Sequence, residues 1–286
     1  MMSLGNDVLR PLVQDMSNGL ASFFGLNLTD VLKSPEDYSP EGAKLMTTVS
    51  STVVQPVATV VLAVLFMVEL NRVLLVTDGD GDTRLRMSFF TLVKFGVIKV
   101  FFDLTPTVMN AIYGVLSDVA SQANALLAPP PGGSTPSVDA FITAAEKMDW
   151  LGQTVLVVVL FFAWVIHKGA VLIALGLVVM RFIKIYIYGS FAPMPMAFLA
   201  TPETRTWGLN FLRTYGAAVL QGFVLVMAFG VYQQVSNGWA ANALANLDGN
   251  SFVAALSIGS FYMFMGVALG MTVAGSGKIA NELLGA

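Results

Sequence analysis

The chain has 286 residues, 56% of them hydrophobic and 12% charged, with 15 Lys/Arg against 18 Asp/Glu, one histidine and no cysteine. Soluble domains carry about 25% charged residues, so a mean hydropathy of +0.73 excludes an ordinary globular core. A net charge of −3 and a pI near 5.1 exclude a broadly basic nucleic-acid surface, and the missing cysteines exclude disulfides, thiol nucleophiles and cysteine metal sites.

The start, MMSLGNDVLRPLVQDM, has no basic stretch followed by an apolar block and a small-residue cleavage site, so no signal peptide is expected. Within residues 1–46, Asp7 to Phe24 places Val8, Leu9, Leu12, Val13, Met16, Leu20, Phe23 and Phe24 on one helical stripe. Gln14, Asp15, Ser17 and Asn18 lie opposite. That pattern predicts an amphipathic helix too polar to span, lying in the interface or on a partner. Leu32 to Glu41 reads as a polar linker with two prolines.

Residues 47–286 read as a transmembrane helical domain. A span needs ~20 apolar residues, and the first runs from Thr47 to Val76 around VATVVLAVLFMV. Pro56, one turn in, is expected to kink it; Glu69 and Arg72, three apart, can pair at its end. A loop, TDGDGDTRLR, leads to a second span from Met87 to Leu116, interrupted by Lys94, Lys99, Asp103 and Asn110. Ser117 to Asp149 reads as an external loop by its APPPGGSTP, with a short helix over Val138–Met148 introduced by Ser137.

Trp150 to Tyr188 is apolar throughout. As one helix it would measure roughly 58 Å at 1.5 Å per residue, against a hydrocarbon core of ~30 Å. It either projects from the bilayer or folds back at His167-Lys168-Gly169. Residues 189–210, with Pro193, Pro195 and Pro202, read as a non-helical cytoplasmic turn. Two more spans follow, Phe211–Val235 and Phe252–Val273. The class expected is an all-α, polytopic membrane protein with about five transmembrane helices plus the N-terminal amphipathic helix. Lysines and arginines decide its orientation. Arg84 and Arg86, flanked by Arg72 and Lys94, and the cluster Arg181, Lys184, Arg205 and Arg213 all fall in the cytoplasm if the N-terminus is outside and the C-terminus inside. Six spans would push Arg205 and Arg213 outside, so five are favoured.

The search for chemistry returns little. Counted from Asp78, DGDGD puts Thr83 and Phe89 where a calcium loop needs Gly and Glu, so it reads as a solvated turn. AGSGKIAN puts Thr272 and Ile279 where a phosphate loop needs Gly and Ser or Thr, and Lys278 reads as an anchor at the end of the last span. His167, beside Lys168 in an apolar run, reads as a packed or interface residue rather than a catalyst. No catalytic, cofactor or metal site is expected. Lys99, Asp103 and Asn110, at spacings of four and seven, share one helical face with Pro106. Charges within spans face a bundle interior or a wet cavity, so this face reads either as a conduit lining or as a paired contact between helices. Gly266, Gly270 and Ala274, and Ala218 with Gly222, are small residues at helix-packing spacing, within or between subunits.

The segment IKIYIYGSFAPMPMAF, then NFLRTYGAAVLQGF, and a glycine-rich last span ending GSGKIANELLG, resemble the TrbL-like polytopic subunits of conjugative type IV secretion systems, in the branch found in Gram-positive transfer elements. The likeness extends from about Thr47 onward and is densest from Arg181 to Val231. It implies a non-enzymatic channel or scaffold subunit in the bacterial cytoplasmic (inner) membrane, homo-oligomeric, without cofactor, and working among membrane lipid, other secretion subunits and their cytoplasmic ATPases. Transient contact with single-stranded DNA is implied as well. The cluster Arg181, Lys184, Pro193, Pro195, Arg205 and Arg213 would then dock the ATPases. An independent small-molecule or ion transporter is the alternative, motivated by Lys99, Asp103 and Glu69 in or near spans; the lack of an internal repeat counts against it.

Overall fold

The computed structural model describes residues 8–12, 28–76, 81–127, 143, 145, 146, 148–245 and 251–285, and among them regular structure is helical with no strand. Among the described residues four helical stretches are long and apolar enough to cross a membrane: Pro40–Leu75, Trp150–Phe191, Arg205–Tyr232 and Leu256–Leu284. They coincide with the first, third, fourth and fifth expected spans. The protein is an all-α, multi-pass membrane protein. The chain divides into two compact units, the first comprising residues 1–32, 120–179 and 222–277, the second residues 33–119, 180–221 and 278–286.

The second unit begins with α1 (Pro35–Tyr38) and α2 (Pro40–Val49), so most of the expected linker is helical. Each proline occupies a first helical position, where its missing N–H is an orphan donor anyway. Ser34 and Ser39 cap the two helices, their hydroxyls accepting from Asp37 N (3.0 Å) and Gly42 N (3.1 Å). A π-helical turn over Ser50–Val54 then leads into α3 (Gln55–Val76). Pro56 has no N–H for the Thr52 carbonyl and crowds it. The π turn, in which Gln55 N–H reaches back to Ser50 O, accommodates that ring.

The second expected span departs from its reading. It is two helices, α4 (Gly81–Asp103) and α5 (Thr105–Leu127), divided at Leu104. Pro106 cannot donate to the Phe102 carbonyl, and the Thr105 hydroxyl donates to it instead at 2.6 Å. Neither half is apolar enough to count as a span alone. Together they still retrace α2 and α3 in the opposite direction. Lys94 meets Glu69 at 3.3 Å, and further along Tyr113 Oη donates to Lys33 O at 2.5 Å. The helix also runs on to Leu127, into the expected external loop; residues 128–142, with APPPGG and Ser137, lie outside the described residues. So do Asp7 and residues 13–24 of the expected amphipathic helix, and residues 78–80 of DGDGD.

The described residues from Trp150 onward form α6 (Trp150–Phe191), α7 (Pro193–Ala197) with a 3-10 turn at Phe198–Ala200, α8 (Arg205–Ala245) and α9 (Ser251–Leu284). α6 is continuous through His167-Lys168-Gly169, which rules out the fold-back. In the second unit Ala58 and Leu62 of α3, Phe95 and Phe102 of α4, and Met196, Ala197 and Ala200 form a core. The other side of α3 leaves Val60, Val64 and Met67 exposed. Lipid tails are as apolar as these side chains, so exposure there carries no hydrophobic penalty.

Candidate functional site

In the second unit Lys99 and Asp103 form an ion pair near the end of α4, each side chain about half exposed. Lys99 Nζ also lies 5.3 Å from the centre of the Phe102 ring. Asn110 belongs to α5, beyond the break, and is exposed. The single uninterrupted helix expected to carry all three is therefore absent, and Pro106, read as part of that face, is what divides it.

The proline turn is mostly helical, contrary to its reading. Pro193 is the first residue of α7 and Pro195 lies within its first turn, where proline is tolerated because the backbone N–H would have no helical partner. Only Ala192 and Thr201–Thr204 are free of helix. There Thr204 Oγ1 donates to Phe198 O at 2.6 Å and lies 2.8 Å from Thr201 Oγ1. A Cβ added at Gly208 would sit 2.7 Å from Pro195 O, so α8 starts hard against α7.

Of the basic residues around the turn, Lys184, Arg205 and Arg213 are exposed. Arg181 is not. It is 2% exposed, donating from Nε to Ala218 O (3.2 Å) and from Nη2 to Val219 O (3.3 Å). Its guanidinium carbon lies 5.8 Å from the Tyr113 ring centre and 5.1 Å from that of Phe182. A cation inside a span must find polar partners within the protein, and the α8 carbonyls and these rings supply them. Arg181 is a clasp between α6 and α8, and burial removes it from the docking set.

The structure adds a constellation that local spacing could not show. Arg72 pairs with Glu203, far along the chain, while Glu69 Oε2 lies 4.0 Å away. Glu69, 14% exposed, instead holds Lys94 at 3.3 Å. The Glu203 carboxyl is held below the usual carboxylate range, first by its own backbone N–H and then by Arg72. Sequence reading found the Glu69–Arg72 spacing and missed the stronger partners, because only folding brings α3, α4 and the Thr201–Thr204 turn together.

In the first unit α9 lies along α6 in parallel. Added Cβ atoms at Gly259, Gly266 and Gly270 would meet Val159, Ile166 and Ala170 respectively. The seam at Gly266 and Gly270 is therefore within the subunit. Ala274 leaves it and is exposed. Steps of four residues rotate around a helix, and Ala274 falls about 80° from Gly266 at 3.6 residues per turn. Val273, a heptad from Gly266, takes the seam position instead and is fully buried. Gly259, a heptad before Gly266, was the residue that sequence reading missed. His167 is 2% exposed with Nδ1 3.2 Å from the Tyr232 hydroxyl, a packed residue as expected.

No curated protein and no solved structure matches this chain. One family profile does, described as TrbL/VirB6 plasmid conjugal transfer like protein, over residues 25–193. The match begins before the expected Thr47 and takes in the APPPGG sequence. It ends at Pro193, so most of the stretch from Arg181 to Val231 lies outside it. Since the matched segment is more than half of an all-helical, multi-pass chain, the protein belongs to the TrbL/VirB6 plasmid conjugal transfer like family.

Proposed function

We propose that this protein is a non-enzymatic channel or scaffold subunit of a conjugative type IV secretion system, set in the bacterial cytoplasmic membrane with its N-terminus outside. The family match over residues 25–193 carries the reading. Two further observations support it. Lys99 and Asp103 are half exposed on a helix of a membrane protein, where contact with lipid would cost several kcal/mol; a neighbouring subunit or a water-filled path would relieve that cost. Lys184, Arg205 and Arg213 offer exposed cations around the α7 turn, suited to docking the acidic surface of a cytoplasmic ATPase. In this reading copies of the subunit assemble with one another and with other secretion subunits, and single-stranded DNA passes in transient contact.

The test uses the transfer element itself. K99C, D103C and N110C, in a chain with no other cysteine, should react with a water-soluble thiol reagent in assembled complexes. The double replacement K99M/D103L should stop transfer while insertion persists. Unreactive cysteines together with normal transfer by the double variant would reduce the pair to an ordinary helix contact.

A further inference from the structure

Beside the Glu69–Arg72–Lys94–Glu203 constellation the second unit holds a cavity of about 590 Å³. Phe101 and Phe102 of α4, Leu199 of the 3-10 turn and Leu209 of α8 line it with apolar surface, and Lys94 and Arg205 supply its cations. The local charges do not cancel. Glu69 and Glu203 occupy Arg72 and Lys94, which leaves the guanidinium of Arg205 as the surplus positive charge, with no ion pair among the described residues. Two residues along from Arg205, Trp207 is 63% exposed and meets Phe198 edge to face at 5.6 Å. An exposed tryptophan beside an exposed arginine marks the level at which a membrane protein crosses the headgroup region. An apolar cavity opening there, with one uncompensated cation, fits a molecule with an acyl chain and a single negative headgroup.

We infer that this cavity binds an anionic phospholipid such as phosphatidylglycerol, its phosphate on Arg205 and its acyl chain along Phe101, Phe102 and Leu209. The inference depends on the chain lying in a membrane and not on the conjugative role, so failure of either leaves the other standing. Each basic residue near a membrane surface is worth about 1 kcal/mol toward anionic lipid, a selectivity of about fivefold. The full-length protein is purified into detergent and equilibrated with equal amounts of phosphatidylglycerol and phosphatidylcholine, and bound lipid is counted by native mass spectrometry. The wild type should carry phosphatidylglycerol over phosphatidylcholine by at least about fivefold. R205Q should lose that preference and R205K should keep it. R213Q, on the same helix but outside the cavity, should also keep it and controls for general charge. Unfolding temperatures of the variants without lipid establish that they are folded. Equal retention of both lipids by the wild type, or an unchanged preference in folded R205Q, overturns the site. Displacement of phosphatidylglycerol by millimolar glycerol phosphate would identify a free phosphate site and overturn the lipid assignment too.

Discussion

Adding one methyl group at each of four α9 glycines should separate helix propensity from helix packing. In a helix interior Gly→Ala is worth about 1 kcal/mol. At Gly275 nothing lies within 4 Å of the added carbon, so G275A should show the whole gain. At Gly270 the nearest atom is Ala170 Cβ at 3.6 Å, an ordinary contact, and G270A should gain nearly as much. At Gly266 the Ile166 Cγ2 would sit at 3.1 Å and His167 N at 3.5 Å. Gain and strain there should cancel to within ~0.5 kcal/mol. At Gly259 the added carbon would lie 2.7 Å from Val159 Cβ, with Cγ1 closer still. A β-branched side chain in a helix has one favoured rotamer and cannot swing aside. Overpacking costs roughly 1–3 kcal/mol, and a contact this close to a side chain that cannot turn belongs at the upper end, about 2–3 kcal/mol. Against the gain of about 1 kcal/mol, G259A should lose about 1–2 kcal/mol net. At about 2–4 °C per kcal/mol, thermal unfolding in detergent should run from roughly 3 °C above wild type for G275A to about 5 °C below for G259A. V159A placed in the G259A background should recover stability, with a coupling of at least ~1 kcal/mol. G259A as stable as G275A, or no coupling to Val159, would refute parallel packing of α6 and α9 in this register.

Arg181 touches backbone carbonyls and rings, so R181M should stay within ~1 kcal/mol of wild type because it leaves no charge stranded. R181A should lose about 3 kcal/mol through the cavity it opens, and R181E should fail to fold; the same unfolding assay reads all three. Asp103 is the opposite case. If the Lys99–Asp103 pair is a helix contact rather than a wet lining, D103N should impair folding more than K99M/D103L, because the single change strands the Lys99 charge, and detergent-solubilised yield reports it. The depressed Glu203 carboxyl should titrate below an unstructured glutamate by carbon NMR. Its contribution is therefore present above the unfolded value and lost as pH falls through the folded one. R72Q should raise the midpoint only in part, because the carboxyl's own backbone N–H is the larger cause.

Apolar runs were readable because a bilayer demands about 20 such residues in a row, and four of the five expected spans appear where those runs are. Helix ends were not. SDVASQANALL before Leu127 and GWAANALA before Ala245 are polar enough to read as loop, yet α5 and α8 continue through them. Alanine, leucine and glutamine are strong helix formers whatever their hydropathy. The prolines misled for a positional reason. In SPED and SPEG a serine cap precedes Pro35 and Pro40 and an acid follows in the first turn, which is a helix-start signature rather than a break. Pro106 worked the other way, dividing a span that spacing had treated as continuous. The ion pairs followed the same logic. Glu69 and Arg72 could be paired by counting, whereas Arg72–Glu203 and Lys94–Glu69 exist only once α3, α4 and the turn are folded together.

Burial of Arg181 also bears on orientation. The lysine and arginine rule counts charges that stay in water at span ends. Arg181 lies ten residues before Phe191, the end of α6, or about 15 Å along the helix axis, and it bonds to protein carbonyls rather than to water. It should be struck from the count. Lys184, Arg205 and Arg213 remain exposed on that side, and Arg72 and Lys94 join Glu203 and Glu69 at the same level. The bias therefore survives the loss of one charge. The antiparallel course of α4 and α5 along α2 and α3 returns the chain before α6 begins, as an N-outside, C-inside arrangement requires despite the break at Leu104. Reporter fusions after Asn246 and after Ala286 should accordingly read outside and inside, and should do so equally in R181M. The reverse pattern would refute the orientation, and a pattern altered only in R181M would show that Arg181 is counted after all.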